Sequence, residues 1–374
     1  MKLYELPTPF VAVDTEKLKR NIREASEKAR NNGKELFPMV KTHKSLYVAK
    51  LQREAGAKGF VCGTVDEAEM LARSGVAEMI MMGYPLADRK NIERVIHLME
   101  ENVRVIFRID NIDGARILSR ELQKRNLKGE YVIKIDVGAH RFGILPDKAV
   151  NLARRLREFS NLKFLGIVTH PGQAYAANTP EEVRRIAKDS TEKMRVAYEN
   201  LKEYGLDAEI IGTGSTPTFR FDVEEELYTH LFPGNYVYYD REQALVYGST
   251  EIRRAALTVF ASILSIWQQG RKRIAMINAG STYFDKRKHI TIGGFGEVIE
   301  HPGALLIDLS QEVGKLDISG ISEIEVGEKV SILPNHACIT NNSTSYIVAH
   351  TNYVVREIIP VDARNGGNLQ KFIL

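Results

Sequence analysis

The chain has 374 residues, of which 44% are hydrophobic and 27% charged, as expected for a folded protein with room for two cores. Its formal charge of +4 comes from 52 basic and 48 acidic residues interspersed along the chain, which argues against a nucleic acid partner. We find no signal peptide pattern and no apolar segment of about 18 residues. We therefore expect a soluble cytoplasmic protein without a membrane partner, and the two cysteines exclude a disulfide framework.

Amphipathic segments alternate with short apolar segments from about residue 14 to residue 245. The first predicted helix starts at Asp14, which can cap it, and ends at Gly33. Further helices are predicted over 45–56, 66–74, 88–100, 112–125, 147–159 and 180–204. The apolar segments predict strands over 35–41, 59–64, 78–83, 103–109, 131–138, 164–170, 208–214 and 228–238.

About eight strand–helix units of this length predict an α/β fold, a (β/α)₈ TIM-type barrel, with a doubly wound open sheet as the alternative. Polar residues at the predicted strand ends favour the barrel, because a barrel brings all carboxyl ends of its strands to one rim. We expect one shared site for these residues, which are Lys41, Thr64, Asp136, His170, Thr213 and Gly214.

The segment after about residue 250 differs, with β-branched and aromatic stretches broken by Gly and Pro. This pattern predicts a second, mostly antiparallel β domain. The opening TPFVAVD also has strand character and is assigned to it. The predicted domains are therefore the barrel over 14–245 and a β domain formed by 1–13 and 246–374.

Lys41 is the first candidate for chemistry, since it ends the apolar segment ELFPMVK. A lysine amine held in an apolar environment has a lowered pKa and can form a Schiff base. The alternative is a lysine that marks the exit of a strand into solvent.

Two glycine-containing turns predict an anion site. In IIGTGSTPTF (210–219), the backbone amides and hydroxyls of Gly214, Ser215 and Thr216 can bind a phosphate, and Pro217 fits the first turn of a helix. In FPGNYVYYD (232–240), Tyr236 or Tyr238 can contact the same anion. Each turn alone is also typical of a plain βα connection, but late barrel loops commonly form a phosphate site.

Two further strand ends supply polar side chains. IDVGAHRFGI (135–144) brings Arg141 to the rim, where it can meet a carboxylate or a cofactor oxygen, although a salt-bridged loop arginine is the alternative. THPGQAY then places His170 at a strand end. Gln173 and Tyr175 follow on the next loop and are predicted substrate contacts, with Tyr175 also a predicted catalytic side chain.

His336 and Cys338 lie one residue apart in SILPNHACITNN. In an extended strand, residues i and i+2 point to the same face, so both side chains could bind one metal ion. Nitrogen and sulfur ligands favour zinc over magnesium or calcium. Coincidence is the alternative for so short a motif.

The ordered segments PMVKTHKS, DVGAHRFG, THPGQAY, GTGSTPT, PGNYVYYD and PNHAC span nearly the whole chain. As a set they resemble the fold type III enzymes that use pyridoxal phosphate (PLP), in the branch of D-serine dehydratase and D-threonine aldolase related to alanine racemase. The resemblance implies that Lys41 is the Schiff-base lysine and that a homodimer forms. It places the cofactor contacts at Arg141, His170, Gly214, Ser215, Thr216 and Tyr236 or Tyr238, and the metal at His336 and Cys338.

The activity implied is that of a PLP- and metal-dependent lyase acting on a small β-hydroxy D-amino acid. Dehydration to a 2-oxo acid and ammonia is favoured, because the aldolases typically have an aspartate where Cys338 stands. The alternatives are aldol cleavage to glycine and an aldehyde, racemisation with Tyr283 or Tyr346 as second base, and a non-catalytic PLP-binding protein.

Overall fold

The computed structural model describes residues 1–364, and it divides them into two compact units. One unit, called the barrel unit below, comprises residues 23–41 and 48–234. The other, called the β unit, comprises residues 1–22, 42–47 and 235–364. The predicted domain bounds, 14–245 for the barrel and 1–13 with 246–374 for the β domain, stay predictions, and residues 365–374 lie outside the described residues.

The strands, in chain order, are β1 (Phe10–Asp14), β2 (Glu35–Leu36), β3 (Phe60–Cys62), β4 (Met79–Met82), β5 (Arg104–Ile109), β6 (Gly129–Lys134), β7 (Leu162–Val168), β8 (Ile210–Thr213), β9 (His230–Leu231), β10 (Leu257–Gln269), β11 (Lys272–Ile277), β12 (Gly296–Val298), β13 (Leu305–Leu309), β14 (Gly314–Asp317), β15 (Lys329–Pro334), β16 (Tyr346–Thr351) and β17 (Val354–Pro360). The helices are α1 (Thr15–Asn31), α2 (Leu46–Glu54), α3 (Val65–Arg73), α4 (Arg89–Glu100), α5 (Ile112–Lys124), α6 (Ala149–Leu156), α7 (Pro180–Glu203), α8 (Phe219–Asp222) and α9 (Ala337–Asn342).

Eight parallel strands form the sheet of the barrel unit, in the spatial order β2-β9-β8-β7-β6-β5-β4-β3. A parallel bridge between Met39 and Val61 joins the segment after β2 to β3 at the other end of the sheet. This bridge closes the sheet, so the predicted (β/α)₈ architecture is confirmed. Closure requires all eight carboxyl strand ends to lie on one rim.

Apolar side chains fill the inside of this sheet. The buried cluster draws on the segments of all eight strands and consists of Phe37, Val61, Met81, Ile106, Val132, Leu165, Val168, Ile210 and Phe232. Because the interior is packed in this way, it is a core and not a channel. Polar groups that act on a ligand therefore have to lie near the ends of the strands.

The sheet of the β unit has nine strands. Six of them, in the order β11-β14-β13-β12-β15-β10, close into a ring because β11 also pairs with β10. β1 pairs antiparallel with β10 and parallel with β16, so the N-terminal strand lies in the same sheet as the C-terminal strands. Within residues 1–364, no helix has both the length and the apolar character that crossing a membrane would need.

The residues predicted to begin and end the first helix do so in the structure. Asp14 caps α1 by accepting hydrogen bonds from the backbone amides of Glu16 and Lys17, and Gly33 follows the helix with a φ of +67°. The prediction that Pro217 lies in a first helical turn is wrong, because α8 begins only at Phe219. Pro217 instead lies in a turn that precedes this four-residue helix.

The close contact between β7 and β8 at Gly166 can be tested by substitution. Its φ is +150°, and a Cβ built there would lie 1.9 Å from the carbonyl oxygen of Ile210 in β8. We expect Gly166→Ala to lower the free energy of unfolding by about 3 kcal/mol or more, because the sheet cannot keep its hydrogen bonds around that clash.

Urea denaturation of the variant measures this loss. Gly205→Ala is the matched control, since Gly205 has a φ of +87° but open space around its Cβ position. The control should cost only about 1 kcal/mol from its backbone conformation. Equal losses in both variants would contradict the role given to the β7–β8 contact.

Candidate active site

Lys41 lies just beyond the end of β2, in the short 3₁₀ turn Val40–Thr42. It was predicted as the last residue of a strand over 35–41, but regular strand pairing ends at Leu36. The side chain is half-buried, and a Cβ built at Gly63 would lie 3.3 Å from the Lys41 Cβ. Because residue 63 is glycine, the stem of Lys41 can pack against the end of β3.

His170 follows β7 and is held as a neutral ring. Burial, together with the positive charges of Lys134, Lys41 and Arg141, lowers the pKa of His170 well below its ordinary value. Its Nδ1 donates a hydrogen bond to the carbonyl oxygen of Gly214, so the other ring nitrogen, Nε2, carries the lone pair. The imidazole thus connects the end of β7 to the turn after β8.

The turn formed by Gly214, Ser215 and Thr216 has the features of an anion site. Ser215 and Thr216 are buried, yet their hydroxyl oxygens have no hydrogen-bond partner within residues 1–364. Buried hydroxyls are normally paired, so two such groups side by side point to a bound ligand. The glycine has a packing reason as well, since a Cβ at Gly214 would lie 2.5 Å from the Cβ of Phe232.

Two buried cations near this rim were missed in the sequence. Arg108 in β5 is 4% exposed, and burial lowers its pKa to about 10. Lys134 ends β6, and burial together with Arg108 and Arg141 lowers its pKa well below the ordinary value. Within the described chain, Lys134 Nζ has no hydrogen-bond partner. A charged residue inside an apolar strand segment was the signal that could have identified both.

Arg141 lies in an exposed loop that Asp136 organises. The Asp136 carboxylate accepts hydrogen bonds from the backbone amides of Gly138, Ala139 and His140. The guanidinium of Arg141 lies 5.6 Å from the ring centre of Tyr84. The arginine is therefore supported by an aromatic face and keeps its charge available to an anion.

Gln173 and Tyr175 lie in the 3₁₀ turn Gly172–Ala176 that follows His170. The Gln173 amide donates to the carbonyl oxygen of Val137 at 3.1 Å, which ties two rim loops together. The Tyr175 ring centre lies 6.4 Å from that of His170. Their predicted roles as substrate contacts, and that of Tyr175 in catalysis, stay predictions.

The β unit contains the two tyrosines predicted to touch the phosphate. Tyr236 and Tyr238 are both fully buried. The Tyr238 hydroxyl donates to Asn341 Oδ1 at 3.1 Å, and burial together with the charge of Cys338 raises its pKa strongly. The predicted phosphate contacts of Tyr236 and Tyr238 stay predictions.

The prediction that His336 and Cys338 share one face of an extended strand is wrong. β15 ends at Pro334, His336 is the residue before α9, and Cys338 is inside that helix. The chain turns there because the buried Asp240 carboxylate accepts a hydrogen bond from the backbone amide of Ala337 at 3.0 Å. The two side chains nevertheless act on each other, since Cys338 raises the pKa of His336.

Buried carboxylates surround this pair. His336 Nδ1 lies 3.6 Å from Glu242 Oε2 and 3.9 Å from Asp240 Oδ2, and both acids are at most 1% exposed. Burial lowers the pKa of His336, but Cys338, Glu242 and Asp240 outweigh it and raise the value to about 10. Carboxylates facing Nδ1 leave Nε2 for a metal, an arrangement typical of metal-binding histidines.

The Cys338 sulfur lies 3.3 Å from Thr42 Oγ1 and 3.6 Å from Asn235 Nδ2. Within residues 1–364, no group of three or more His, Cys, Asp and Glu side chains could hold a metal ion. The pair can therefore supply two protein ligands, and an ion bound there would need water or substrate for the others.

Two family models match successive parts of the chain. The model of the alanine racemase N-terminal domain family matches residues 13–242, and that of a putative serine dehydratase domain matches residues 256–350. The first match covers more than half of the chain, and the second lies within the predicted β domain.

Three relatives match along most of their length. D-threo-3-hydroxyaspartate dehydratase of Delftia sp. is 28% identical over 90% of this chain and 92% of that protein. For 3-hydroxy-D-aspartate aldolase of Paracoccus denitrificans, the identity is 26% over 97% and 93%. D-serine dehydratase of Dictyostelium discoideum is 26% identical over 95% and 96%.

Solved structures give the same fold. A histidine-to-alanine mutant of D-threo-3-hydroxyaspartate dehydratase has a TM-score of 0.88, and a cysteine-to-alanine mutant in the metal-free form has 0.87, each at 26% identity. The alignments cover 98% of this chain and 97% and 100% of those chains. The mutated cysteine follows the mutated histidine by two positions. The chain belongs to the alanine racemase N-terminal domain family, and its residues 256–350 match a putative serine dehydratase domain.

Proposed function

We propose that this protein is a PLP-dependent lyase that dehydrates a small β-hydroxy D-amino acid, giving a 2-oxo acid and ammonia. The observation that carries the proposal is the barrel rim, where Lys41, His170 and the buried hydroxyls of Ser215 and Thr216 occur in the order that the family resemblance assigns to PLP. Neither hydroxyl has a hydrogen-bond partner among residues 1–364. Enzymes of this family use PLP, and the relatives include dehydratases and an aldolase.

The residues of the rim fit the cofactor. The oxygens of a bound phosphate would accept hydrogen bonds from the buried hydroxyls of Ser215 and Thr216. Three cations that act on His170 (Lys41, Lys134 and Arg141) favour bound anions, both a phosphate and a substrate carboxylate. The family resemblance assigns a second phosphate contact to Tyr236 or Tyr238.

Bound PLP supplies an electron sink for the bond that breaks at Cα of the amino acid. Lys41 is half-buried at the rim and accepts the Cα proton on Nζ. His170 stays uncharged and holds the phosphate turn through Gly214. Arg141 binds an anionic group of cofactor or substrate, and Gln173 and Tyr175 contact the substrate.

Zinc on His336 and Cys338 is the second part of the proposal. One nitrogen and one sulfur donor suit zinc, and the carboxylate of Glu242 orients the imidazole. Support comes from the relative whose histidine and cysteine mutants have the same two-residue spacing, the latter in a metal-free form. The ion would make the β-hydroxyl a better leaving group.

Aldol cleavage is the second candidate, because a 26% identical relative is an aldolase. In that reaction the Cα–Cβ bond breaks and the β-hydroxyl loses its proton, which gives glycine and an aldehyde. Cysteine at position 338 favours dehydration. A homodimer and a cytoplasmic location stay predictions.

The cofactor claim predicts that PLP becomes bonded to one lysine. After PLP is added and the protein is reduced with borohydride, the cofactor should be fixed on the peptide that contains Lys41, because reduction fixes PLP only to the amine that it has bonded. Peptide mass mapping measures the position. Lys41→Ala should lose the label and Lys58→Ala, at an exposed lysine of the barrel unit, should keep it. A wild-type label at another lysine would contradict the claim.

The metal claim predicts that His336→Ala and Cys338→Ala each reduce bound zinc from about one ion per chain to nearly none, since a single remaining protein ligand cannot retain the ion. Elemental analysis after dialysis measures this content. His301→Ala is the control, because His301 lies in the same unit and pairs with Glu328. Zinc retained by both variants would exclude this pair as the ligands.

The reaction is tested by product analysis with D-serine, D-threonine and D-threo-3-hydroxyaspartate. We expect 2-oxo acid and ammonia in equal amounts from at least one of them, with a rate at least about 10³-fold lower in Lys41→Ala. Glycine with an aldehyde would establish the aldolase alternative. Formation of the L-amino acid would favour a racemase that uses Tyr283 or Tyr346 as its second base.

A further inference from the structure

Asp222 is a buried carboxyl that lies behind the Gly214–Thr216 turn and has no part in the proposal above. It is the last residue of α8 and is 1% exposed. Its Oδ2 accepts hydrogen bonds from the hydroxyls of Thr218 at 2.6 Å and Thr213 at 3.4 Å. A carboxyl group is seldom buried so completely unless it is paired.

The two threonines stand at opposite ends of the turn. Thr213 is the last residue of β8, and Thr218 is the residue before α8. One carboxyl oxygen that accepts from both hydroxyls therefore cross-links the start and the end of the loop. Ser215 and Thr216 lie between these two points, so their orientation depends on the cross-link.

Asp222 can be either protonated or ionised near neutral pH. Burial, which the Thr218 and Thr213 hydrogen bonds only partly offset, raises the pKa of Asp222 to about 7. The other titratable groups that act on it are Glu225, which adds negative charge, and Tyr228, whose hydroxyl lies 3.2 Å from Thr191 of α7. Within residues 1–364, the second oxygen, Oδ1, has no hydrogen-bond partner and can carry the proton.

We propose that Asp222 is a positioning residue that shapes the 213–218 turn for the phosphate of PLP, and that its protonated form supports tighter phosphate binding than its carboxylate. This inference rests on the proposed function, because it assumes that the turn holds the phosphate. The physical reason is that the protonated form keeps the cross-link, whereas a buried negative charge behind the turn repels the phosphate dianion.

The test compares PLP with pyridoxal, which has the same ring but no phosphate, on apo-protein. Asp222→Ala is expected to raise the Kd of PLP about tenfold and that of pyridoxal less than about twofold, because only the phosphate contact depends on the cross-link. Glu224→Gln is the matched control, since it removes one exposed carboxylate just after α8 and should change neither value. Inorganic phosphate, titrated as a competitor of PLP, should lose affinity in parallel with PLP.

Asp222→Asn, which stays uncharged, tests the charge and serves if the alanine variant does not fold. Between about pH 6 and about pH 8, the wild-type Kd of PLP should rise several-fold relative to that of this variant, because Asp222 ionises in this range. An unchanged ratio, or equal loss of PLP and pyridoxal binding in Asp222→Ala, would overturn the inference and leave the cofactor site standing. A wild-type protein that binds PLP no better than pyridoxal would overturn both.

Discussion

Closure of the parallel sheet is the constraint on which the rest of the barrel unit depends. The bridge between Met39 and Val61 brings the segment after β2 to β3, and it thereby sets Lys41 beside Gly63. Parallel strands in a closed sheet all end on one rim, so residues far apart in sequence act on one another there. Lys41 and His170 are far apart in the sequence, yet the charge of Lys41 lowers the pKa of His170. This effect agrees with both side chains lying at the same rim.

A second consequence is a concentration of positively charged side chains at this rim. Arg108 and Lys134 are buried, and Lys41 and Arg141 lie nearby on the same rim. Burying cations without enough anions is unfavourable, and the lowered pKa values of His170 and Lys134 express that cost. A ligand that brings a phosphate and a carboxylate would offset this charge. The positive charge of the rim and the Ser215 and Thr216 hydroxyls, which lack a partner in the described part of the chain, therefore both favour a ligand with a phosphate.

The architecture could be predicted from the sequence because its signals are local. Amphipathic periodicity, the Asp14 cap and Gly33 give α1 to within a few residues, and the β-branched C-terminal segments give the second sheet. Strand-end polarity also identified the rim. It could not separate roles, since Thr64 proved to cap α3 by accepting a hydrogen bond from the amide of Glu67.

Long-range contacts explain what the sequence could not reveal. His336 and Cys338 act on each other across a helix start and not along a strand, because Asp240, about 100 residues earlier, caps that helix. Pro217 precedes a short helix whose end, Asp222, bonds back to Thr213 and Thr218. In both cases a buried carboxyl group accepts the hydrogen bonds that set the local backbone. The periodicity of hydrophobic residues does not predict such hydrogen bonds.

The central claim is that one amine on this rim lies within bonding distance of a pyridoxal ring anchored by the turn after β8. A crystal structure of the protein grown with PLP measures both parts at once. The account predicts phosphate density against Ser215 and Thr216 and continuous density between the cofactor and Lys41. Phosphate density elsewhere, with the Lys41 side chain turned into solvent, would contradict it.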